Sequence, residues 1–253
     1  MRFISLGSGS KGNATLVETG GTRLLVDCGF GIREVQRRLQ QVGVSAQDLD
    51  AILVTHEHGD HVRGVRALAM RFGIPVWTTP GTWRRAGGDE LPGLRLFSGH
   101  RGGFRIGDVR VTPFPVPHDA CEPCQFIFES AGLRLGMLTD TGYVTTHARD
   151  LLRECSALMI ECNHDTDMLY GGPYPPSLQA RVGGRYGHLS NRQTVELLDS
   201  LPWAGLSHLL IAHISEKNNH PRRVREALRQ VSANLEQRSV LAGQDLPGSW
   251  LVL

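Results

Sequence analysis

The chain has 253 residues, of which 40% are hydrophobic and 21% charged, and its formal net charge at pH 7 is +2. This is the composition of a folded globular protein, and the length predicts a single domain over residues 1–253. The longest apolar runs are strand-sized and the first residues lack a signal-peptide pattern, so we expect a cytoplasmic protein without membrane spans. So small a net charge excludes a surface that attracts nucleic acid over its whole extent.

The hydrophobic pattern predicts strands and helices along the whole chain. Strands are predicted at residues 2–6, 14–18, 23–26, 51–54, 75–78, 94–97, 103–106, 109–116, 125–129, 133–138, 157–161 and 207–212, with a terminal pair at 238–242 and 249–252. Helices are predicted at residues 32–42, 62–72, 81–86, 146–154, 190–200 and 221–236, with a long Gly/Pro/Tyr-rich loop before residue 190. This order predicts an α/β protein in which two mixed sheets pack face to face, with helices outside.

The segment His56-Glu57-His58-Gly59-Asp60-His61 follows the apolar strand 51–54 and is the strongest functional signal in the chain. Imidazole and carboxylate are the ligands that zinc and neighbouring divalent metals prefer. Residues two apart on an extended backbone point the same way, so the first two histidines can share one ion while Asp60 and His61 face a second. The alternative, a solvated His-rich turn, is disfavoured by the density of ligand-type residues.

Further ligand-type residues stand directly after other apolar strands. They are Asp27, His118, Asp140 and His213. Each of them alone is more often a capping residue or a buried residue with hydrogen-bond partners. Their repetition after successive strands instead predicts a shared site at the loop ends of the sheets.

The five cysteines are an odd number, which argues against a disulfide framework in a cytosolic chain. Cys121 and Cys124 have the C-x-x-C spacing of redox pairs and zinc knuckles, but no second pair of this kind accompanies them. We therefore expect reduced, partly buried thiols.

Together these motifs resemble the metallo-β-lactamase superfamily over nearly the whole chain. Its H-x-H-x-D-H signature stands at residues 56–61, and its remaining motifs match the strand-end residues in the expected order. The resemblance implies an αββα sandwich with two divalent ions, zinc or manganese, at one edge. It assigns one ion to His56, His58 and His118, the other to Asp60, His61 and His213, a bridging role to Asp140, and to Asp27 the orientation of a ligand.

The second half more closely resembles the YycJ/WalJ group, bacterial enzymes similar to RNase Z and to PhnP-type phosphodiesterases. The segments that carry this resemblance are Asn163–Leu169, Gly172–Pro175, Gly187–Asn191 and His213–Asn219. The group implies a 5′-to-3′ exonuclease that acts on DNA, with a role in DNA repair and no nucleotide cofactor. A hydroxide bridging the two metals would attack phosphorus in line, and Asp60 could also orient the attacking water.

His188 matches a non-ligand histidine of RNase Z-like enzymes, so we predict that it protonates the leaving 3′ oxygen. Glu161, at the end of a predicted strand, is predicted to hold that imidazole. The alternative role for His188 is structural, as a residue at the start of a helix beside the caps Ser190 and Asn191.

Several polar residues are candidate substrate contacts. The loop 7–13 can form an anion-binding nest or a purely structural turn, and it lacks the form of a nucleotide-triphosphate site. Residues just after His213 can contact a terminal phosphate or serve as helix caps. The candidates are Asn13, Arg181, Ser215, Asn218 and Asn219.

Two other functions remain open. A small-molecule or cyclic phosphodiesterase would use the same metals, and a non-catalytic nucleic-acid-binding regulatory protein is a further alternative. Thioester hydrolases share the histidine motif, but the segments 187–190 and 214–219 favour phosphodiesters. The segment from His118 to Asp140 is too short for the tRNA-gripping arm of some RNase Z enzymes, so tRNA processing is disfavoured. The segment from Asp140 to His213 is too short for the inserted domain of RNase J-like nucleases. Flavo-diiron proteins have Glu where His58 stands, so oxygen or NO chemistry is disfavoured.

Overall fold

The computed structural model describes residues 1–88, 90–100, 102–202 and 205–253, and within them the strands form two seven-stranded sheets. The first sheet contains β1 (Arg2–Gly7), β2 (Ala14–Thr19), β3 (Thr22–Val26), β4 (Ala51–Leu53), β5 (Val76–Thr78), β6 (Leu94–Leu96) and β14 (Leu251–Val252). The second contains β7 (Phe104–Ile106), β8 (Val109–Pro115), β9 (Cys124–Ser130), β10 (Leu133–Leu138), β11 (Ala157–Glu161), β12 (His208–Ala212) and β13 (Ser239–Leu241).

Both sheets are mixed, as predicted. The strand order is β14-β1-β2-β3-β4-β5-β6 in the first sheet and β13-β12-β11-β10-β9-β8-β7 in the second. Strand β3 pairs antiparallel with β2 but parallel with β4, and β10 pairs antiparallel with β9 but parallel with β11. The two sheets therefore repeat one arrangement, in which parallel strands send their carboxyl ends to one edge.

Helices cover the outer faces of the two sheets. The helices of the first half are α1 (Ile32–Gln41), α2 (Gly59–Val62), α3 (Val65–Phe72) and α4 (Pro80–Arg85). The helices of the second half are α5 (Thr146–Leu152), α6 (Thr166–Tyr170), α7 (Pro176–Val182), α8 (Asn191–Asp199), α9 (Pro221–Val231) and α10 (Ala233–Arg238). The first sheet packs on Val35, Leu39 and Leu68 of α1 and α3, and the second on Leu152, Leu198 and Leu228 of α5, α8 and α9.

An apolar layer between the sheets holds them face to face. Phe3 and Leu24 of the first sheet and Phe126 and Phe128 of the second are fully buried there. Burial of side chains of this size stabilises the fold by about 1.5–3 kcal/mol each. The predicted αββα sandwich is thus confirmed, and the layer fixes the loop ends of both sheets beside one another.

Two predicted helices are interrupted. The segment 62–72 belongs to α2 and α3, which separate at Gly64 because this residue lies against the chain after β3. A Cβ on Gly64 would be 2.1 Å from the carbonyl oxygen of Phe30. The segment 221–236 is divided at Ser232, whose extended backbone (φ −168, ψ 139) ends α9 and whose side chain accepts a hydrogen bond from Asn234 N to cap α10.

The other differences concern the long loop and the C-terminus. The loop before residue 190 contains α6, capped by Asp165, and α7, which begins with Pro176. The last two strands do not pair with each other, because β13 lies beside β12 and β14 lies beside β1. No helix in the described residues is long and apolar enough to cross a membrane.

Candidate metal centre

Strained backbone marks the strand ends that carry the candidate ligands. Asp27, Asp140 and His213 have φ angles of 60, 53 and 49, and among the described non-glycine residues only Ala131 shares this left-handed conformation. Such a conformation costs an L-residue about 1 kcal/mol or more and persists where the surroundings fix it, often at functional sites. Here it turns the chain sharply where β3, β10 and β12 end.

The first ligand cluster consists of His56, His58 and His118. His56 Nε2 lies 3.0 Å from His58 Nδ1, and His118 Nε2 lies 3.3 Å from the same atom. The potential ligand atoms of the three residues all lie within 4.8 Å of one another. Such converging nitrogens are the donor set of a transition-metal site.

The second cluster consists of Asp60, His61 and His213. Asp60 Oδ2 lies 3.5 Å from His61 Nε2 and 3.6 Å from His213 Nε2. The planes of the two imidazole rings are inclined by 29°, and the ring centroids are 6.0 Å apart. This cluster joins residues from the first sheet to a residue from the second.

Asp140 lies between the two clusters. Its Oδ2 is 3.5 Å from His61 Nε2 and its Oδ1 is 3.4 Å from His213 Nε2, and it also shares a possible ligand group with His56 and His61. Asp140 Oδ2 and His213 Nε2 are buried without a hydrogen-bond partner in the part of the chain that the structure describes. Because buried polar atoms almost always have partners, these two atoms fit a cation between them.

Acceptors hold the outer nitrogens of three rings, so that each inner nitrogen keeps its lone pair. His61 Nδ1 lies 2.8 Å from Asp27 Oδ2, and His118 Nδ1 lies 3.0 Å from the carbonyl oxygen of Gly187. His58 Nε2 lies 3.2 Å from the carbonyl oxygen of Asp119. Each acceptor places the proton on the outer nitrogen and leaves a lone pair on the inner one, as in metal-binding histidines.

Asp27 contacts the candidate ligands on the side away from the cluster, and its role in orienting them stays a prediction. The side chain is buried, and its Oδ1 accepts a hydrogen bond from Thr55 N at 2.9 Å while its Oδ2 accepts one from Thr55 Oγ1 at 2.9 Å. Thr55 Oγ1 in turn lies 3.0 Å from His56 Nδ1. One carboxylate is thus linked to two candidate ligands.

His213 is the exception among these rings. Its Nδ1 lies 3.0 Å from Asn163 Nδ2, which also donates to the carbonyl oxygen of His213 at 3.0 Å. A ligating Nε2 needs its proton on Nδ1, so metal binding at this ring requires the Asn163 amide to turn its oxygen toward Nδ1. Sequence reasoning did not single out Asn163, although it lies in a segment that resembles the YycJ/WalJ group.

The candidate ligands are buried imidazoles beside carboxylates, and these surroundings set their pKa values. Burial lowers the pKa of His118 to about 4, so this ring is neutral at physiological pH. Burial also opposes the charge on His213, but the negative charge of Asp140 and the nearby carboxylate of Asp60 raise its pKa to about 9. Burial raises the pKa of Asp60, and the neighbouring imidazoles of His213 and His61 outweigh that effect, so its pKa lies below the usual range.

The structure brings together Glu161 and His188, the predicted proton-transfer pair. His188 Nδ1 lies 3.1 Å from Glu161 Oε2, and Glu161 is fully buried. Glu161 Oε1 accepts a hydrogen bond from Thr141 N at 2.7 Å, which fixes the carboxylate. His188 also belongs to possible ligand groups with Asp140 and with His213, so its geometry alone allows a ligand role as well.

The candidate substrate residues fall in different places. Arg181 lines a cavity of about 340 Å³ beside Asp60, Asp140 and His188. Ser215 and Asn218 line an adjoining cavity of about 100 Å³.

Asn13 and Asn219 line neither of these cavities. Asn13 Nδ2 donates to Asp60 Oδ2 at 3.2 Å, so this residue orders the loop and holds Asp60 in place. Asn219 Nδ2 donates to Asn191 Oδ1 at 2.7 Å and to the carbonyl oxygen of Cys162 at 2.9 Å. Both side chains are engaged within the protein, and we leave them out of the substrate contacts proposed below.

Asp119 is a site residue that sequence reasoning missed. Its Oδ1 lies 3.4 Å from His118 Nε2, and its Oδ2 accepts a hydrogen bond from Arg181 Nε at 2.5 Å. Burial raises the pKa of Asp119, but the hydrogen bond from Arg181 and the charge of His118 have the larger effect, so the pKa lies below its ordinary value. Its position next to His118 was the available signal.

All five cysteines are free thiols, as expected. Cys121 is exposed and Cys124 is buried, so their C-x-x-C spacing forms no disulfide. Burial raises the pKa of the Cys28, Cys155 and Cys162 thiols to about 12. These three side chains are therefore protonated and unreactive at neutral pH.

Comparison with known proteins agrees with the fold and the clusters. The model of the Beta-lactamase superfamily domain matches residues 22–214, so the chain belongs to this family. An exodeoxyribonuclease YycJ of Bacillus anthracis is 32% identical over 96% of this chain and 92% of its own length. An exodeoxyribonuclease WalJ of Streptococcus pneumoniae is 32% identical over 86% of this chain and 83% of its own.

The fold is also shared with solved structures of low sequence identity. Zn(2+)-bound PqqB from Methylobacterium extorquens superposes with a TM-score of 0.75 at 18% identity, over 100% of both chains. The two exodeoxyribonucleases, each 32% identical to this chain, confirm the resemblance to the YycJ/WalJ group. The family and the ligand clusters together make this protein a metal-dependent hydrolase that uses a divalent metal.

Proposed function

We propose that this protein is a phosphodiesterase with two divalent ions and that it acts as a 5′-to-3′ exonuclease on DNA. The observation that carries the proposal is the arrangement of seven ligand-type side chains as two clusters with Asp140 between them. The relatives named exodeoxyribonucleases support the choice of substrate. We further propose one domain over residues 1–253 and a cytoplasmic location, which the reduced thiols support.

Each ion would have its own set of ligands. One would be held by His56, His58 and His118, and the other by Asp60, His61 and His213. Asp140 would contribute to both. When bound, paired ions supply a water of pKa near 7 and neutralise charge on the phosphoryl group.

The chain's own residues would supply the proton transfers. Asp60 has an accessible carboxylate at the cavity wall, where it can accept a hydrogen bond from the attacking water. His188 lines the same cavity, and Glu161 orients its ring. His188 would donate a proton to the departing 3′ oxygen, and Glu161 would stabilise the charged imidazole before that transfer.

Arg181 would contact the phosphate backbone. Its Nε is engaged by Asp119, and the side chain lines the main cavity while remaining more than half exposed. A guanidinium held by one nitrogen retains further donors that match the geometry of phosphate oxygens. Asp119 would thereby hold Arg181 toward the site.

A small-molecule or cyclic phosphodiesterase is the main competing function. The main cavity of about 340 Å³ falls in the range that accepts a compact ligand. The same ions and the same acid would serve such a substrate. Substrate choice therefore separates the two functions, whereas metal content does not.

One experiment tests the proposal directly. Protein loaded with Zn²⁺ or with Mn²⁺ is incubated with 5′-labelled DNA, 5′-labelled RNA and bis-p-nitrophenyl phosphate, with Asp60→Ala as the inactive control. We expect mononucleotide release from DNA that the control lacks. Hydrolysis of the small ester alone would identify a small-molecule phosphodiesterase, and no hydrolysis of any substrate would favour a non-catalytic role.

A further inference from the structure

Two exposed tyrosines stand close in sequence to candidate site residues. Tyr143 is 37% exposed and follows Asp140 by three residues, and Tyr186 is 63% exposed and precedes His188 by two. A tyrosine ring carries a large apolar surface that proteins usually cover or use in binding. The two rings therefore offer contact surface next to the proposed reaction centre.

Backbone contacts join the two tyrosine segments and attach them to the wall of the main cavity. A Cβ on Gly142, the residue before Tyr143, would be 2.2 Å from the carbonyl oxygen of Arg185, so the two backbones touch there. The carbonyl oxygen of Tyr186 accepts a hydrogen bond from the N–H of Asp119 at 2.9 Å, and Asp119 lines the main cavity. Both rings are therefore attached to fixed backbone beside that cavity.

Arg185 adds a positive charge to this surface. Its guanidinium carbon lies 5.2 Å from the ring centre of Tyr143, within the range of a cation–π contact. Arg185 forms no ion pair with a described residue, whereas Arg181, four residues earlier, is paired with Asp119. The side chain of Tyr186 has no ring contact or hydrogen bond in the part of the chain that the structure describes. We call the side chains of Tyr143, Arg185 and Tyr186 the aromatic rim.

Exposed rings beside a cation without an ion pair match the chemistry of a single-stranded nucleic acid. Unpaired bases stack their flat faces on aromatic side chains, and the phosphates between the bases attract arginine. In an intact duplex those faces are already stacked on neighbouring bases, and exposing one of them costs free energy. The aromatic rim therefore fits a strand that is unpaired where it leaves the main cavity.

We propose that the aromatic rim stacks an unpaired base of the DNA strand whose phosphodiester lies at the metal centre. Tyr186 would provide the face on which the base lies, and Arg185 would contact a neighbouring phosphate while it holds the ring of Tyr143. Because every base has a flat face, the contact would be independent of sequence. This inference rests on the proposed exonuclease function and adds that the strand is unpaired beside the phosphodiester being cut.

Substitution of the more exposed ring tests this contact. Tyr186→Ala should raise KM for a single-stranded DNA substrate by roughly 5- to 150-fold, the range for loss of one stacked base, with little change in kcat. Tyr186→Phe keeps the ring and should keep the wild-type KM. Both variants should retain the wild-type metal content by elemental analysis, because neither change touches a candidate ligand. Met70→Ala removes a comparably exposed apolar side chain from α3 and should leave KM unchanged.

A single abasic position shows whether the contact involves a base. Strands of one sequence would carry one abasic site at successive positions from the 5′ end. With the wild-type protein, one or two of these strands should have a higher KM than the intact strand. The Tyr186→Ala variant should show no such increase at those positions, because it has already lost the stacking contact.

The outcomes separate this inference from the proposed function. An unchanged KM for Tyr186→Ala, or abasic strands that all behave like the intact strand, would overturn the inference and leave the exonuclease function intact. An equal rise in KM for Tyr186→Phe or for Met70→Ala would also overturn it, because loss of the aromatic face would then not be the cause. Failure of the wild-type protein to cleave DNA would overturn the exonuclease function and this inference with it.

Discussion

Replacement of Asp27 by Asn would test whether hydrogen bonds from Asp27 orient the candidate ligands. Thr55 N donates to Asp27 Oδ1, so the amide oxygen of the variant must occupy that position. The amide nitrogen must then face Thr55 Oγ1 and His61 Nδ1. In the wild type, the carboxylate oxygen Oδ2 at this position accepts a hydrogen bond from His61 Nδ1 at 2.8 Å. His61 Nδ1 would become an acceptor, which moves the ring proton to Nε2, the nitrogen that faces Asp60 and Asp140.

A protonated Nε2 has no lone pair for a metal, so the variant must bind the ion at the Asp60 cluster more weakly. Loss of a group that orients a ligand typically reduces metal affinity by about 10–100-fold. That range corresponds to about 1.4–2.7 kcal/mol of binding free energy. The cluster of His56, His58 and His118 contacts Asp27 only through Thr55, so its affinity should change less.

The assay is a competition titration of metal-free protein against a chromophoric chelator, which resolves two binding steps. Asp27→Asn should weaken one step by the stated factor and leave the other within a few-fold. Asp245→Asn, at an exposed aspartate, is the matched control for the lost charge. Two unchanged affinities in the Asp27 variant would refute the proposed orientation of His61.

Three further predictions concern other parts of the molecule. His188→Ala should retain its metal content and lose about 10²–10⁴-fold in kcat, because it removes the proton donor; loss of an ion by elemental analysis would make His188 a ligand instead. Ala131→Gly should raise the free energy of unfolding in urea by about 0.5–1 kcal/mol, because φ is 50 there; a loss of stability would refute this account of the turn. Hydrogen bonds from Arg37, and secondarily from Arg38, lower the pKa of Glu34 to about 2. Their stabilisation is therefore complete above the ordinary pKa of 4.5 and is lost as the pH falls through about 2. At pH 6 the free energy of unfolding should be higher for wild type than for Glu34→Gln by less than about 1 kcal/mol, since the site is partly exposed. Unfolding measured at successively lower pH should show this difference disappear, and a difference that grows would refute the assignment.

The sequence predicted the sheets and the strand ends that carry the candidate ligands because both depend on local patterns. An apolar run that ends in Asp or His identifies a strand and its functional terminus together, as at Asp140 and His213. The pattern does not reveal that both residues adopt left-handed backbone. That conformation is imposed by packing around the turn, and nothing in the residue types Asp and His requires it.

Contacts between distant segments escaped sequence reasoning. The division at Gly64 comes from its close approach to Phe30, and the role of Asn13 as a partner of Asp60 depends on two loops meeting. Asn219 follows a candidate ligand closely in sequence, yet its amide is taken up by Asn191 and Cys162. Proximity along the chain to a ligand is thus a weak guide to substrate contact.

The candidate ligands come from both halves of the sandwich. Asp60 and His61 follow a strand of the first sheet, whereas Asp140 and His213 follow strands of the second. An ion shared among them would add a link between the two layers to the hydrogen bonds that already cross this edge, such as the one from His213 N to Ser8 Oγ at 2.9 Å. If the chain were nicked between β6 and β7, metal should strengthen the association of the two fragments, which the pairing of β14 with β1 also joins.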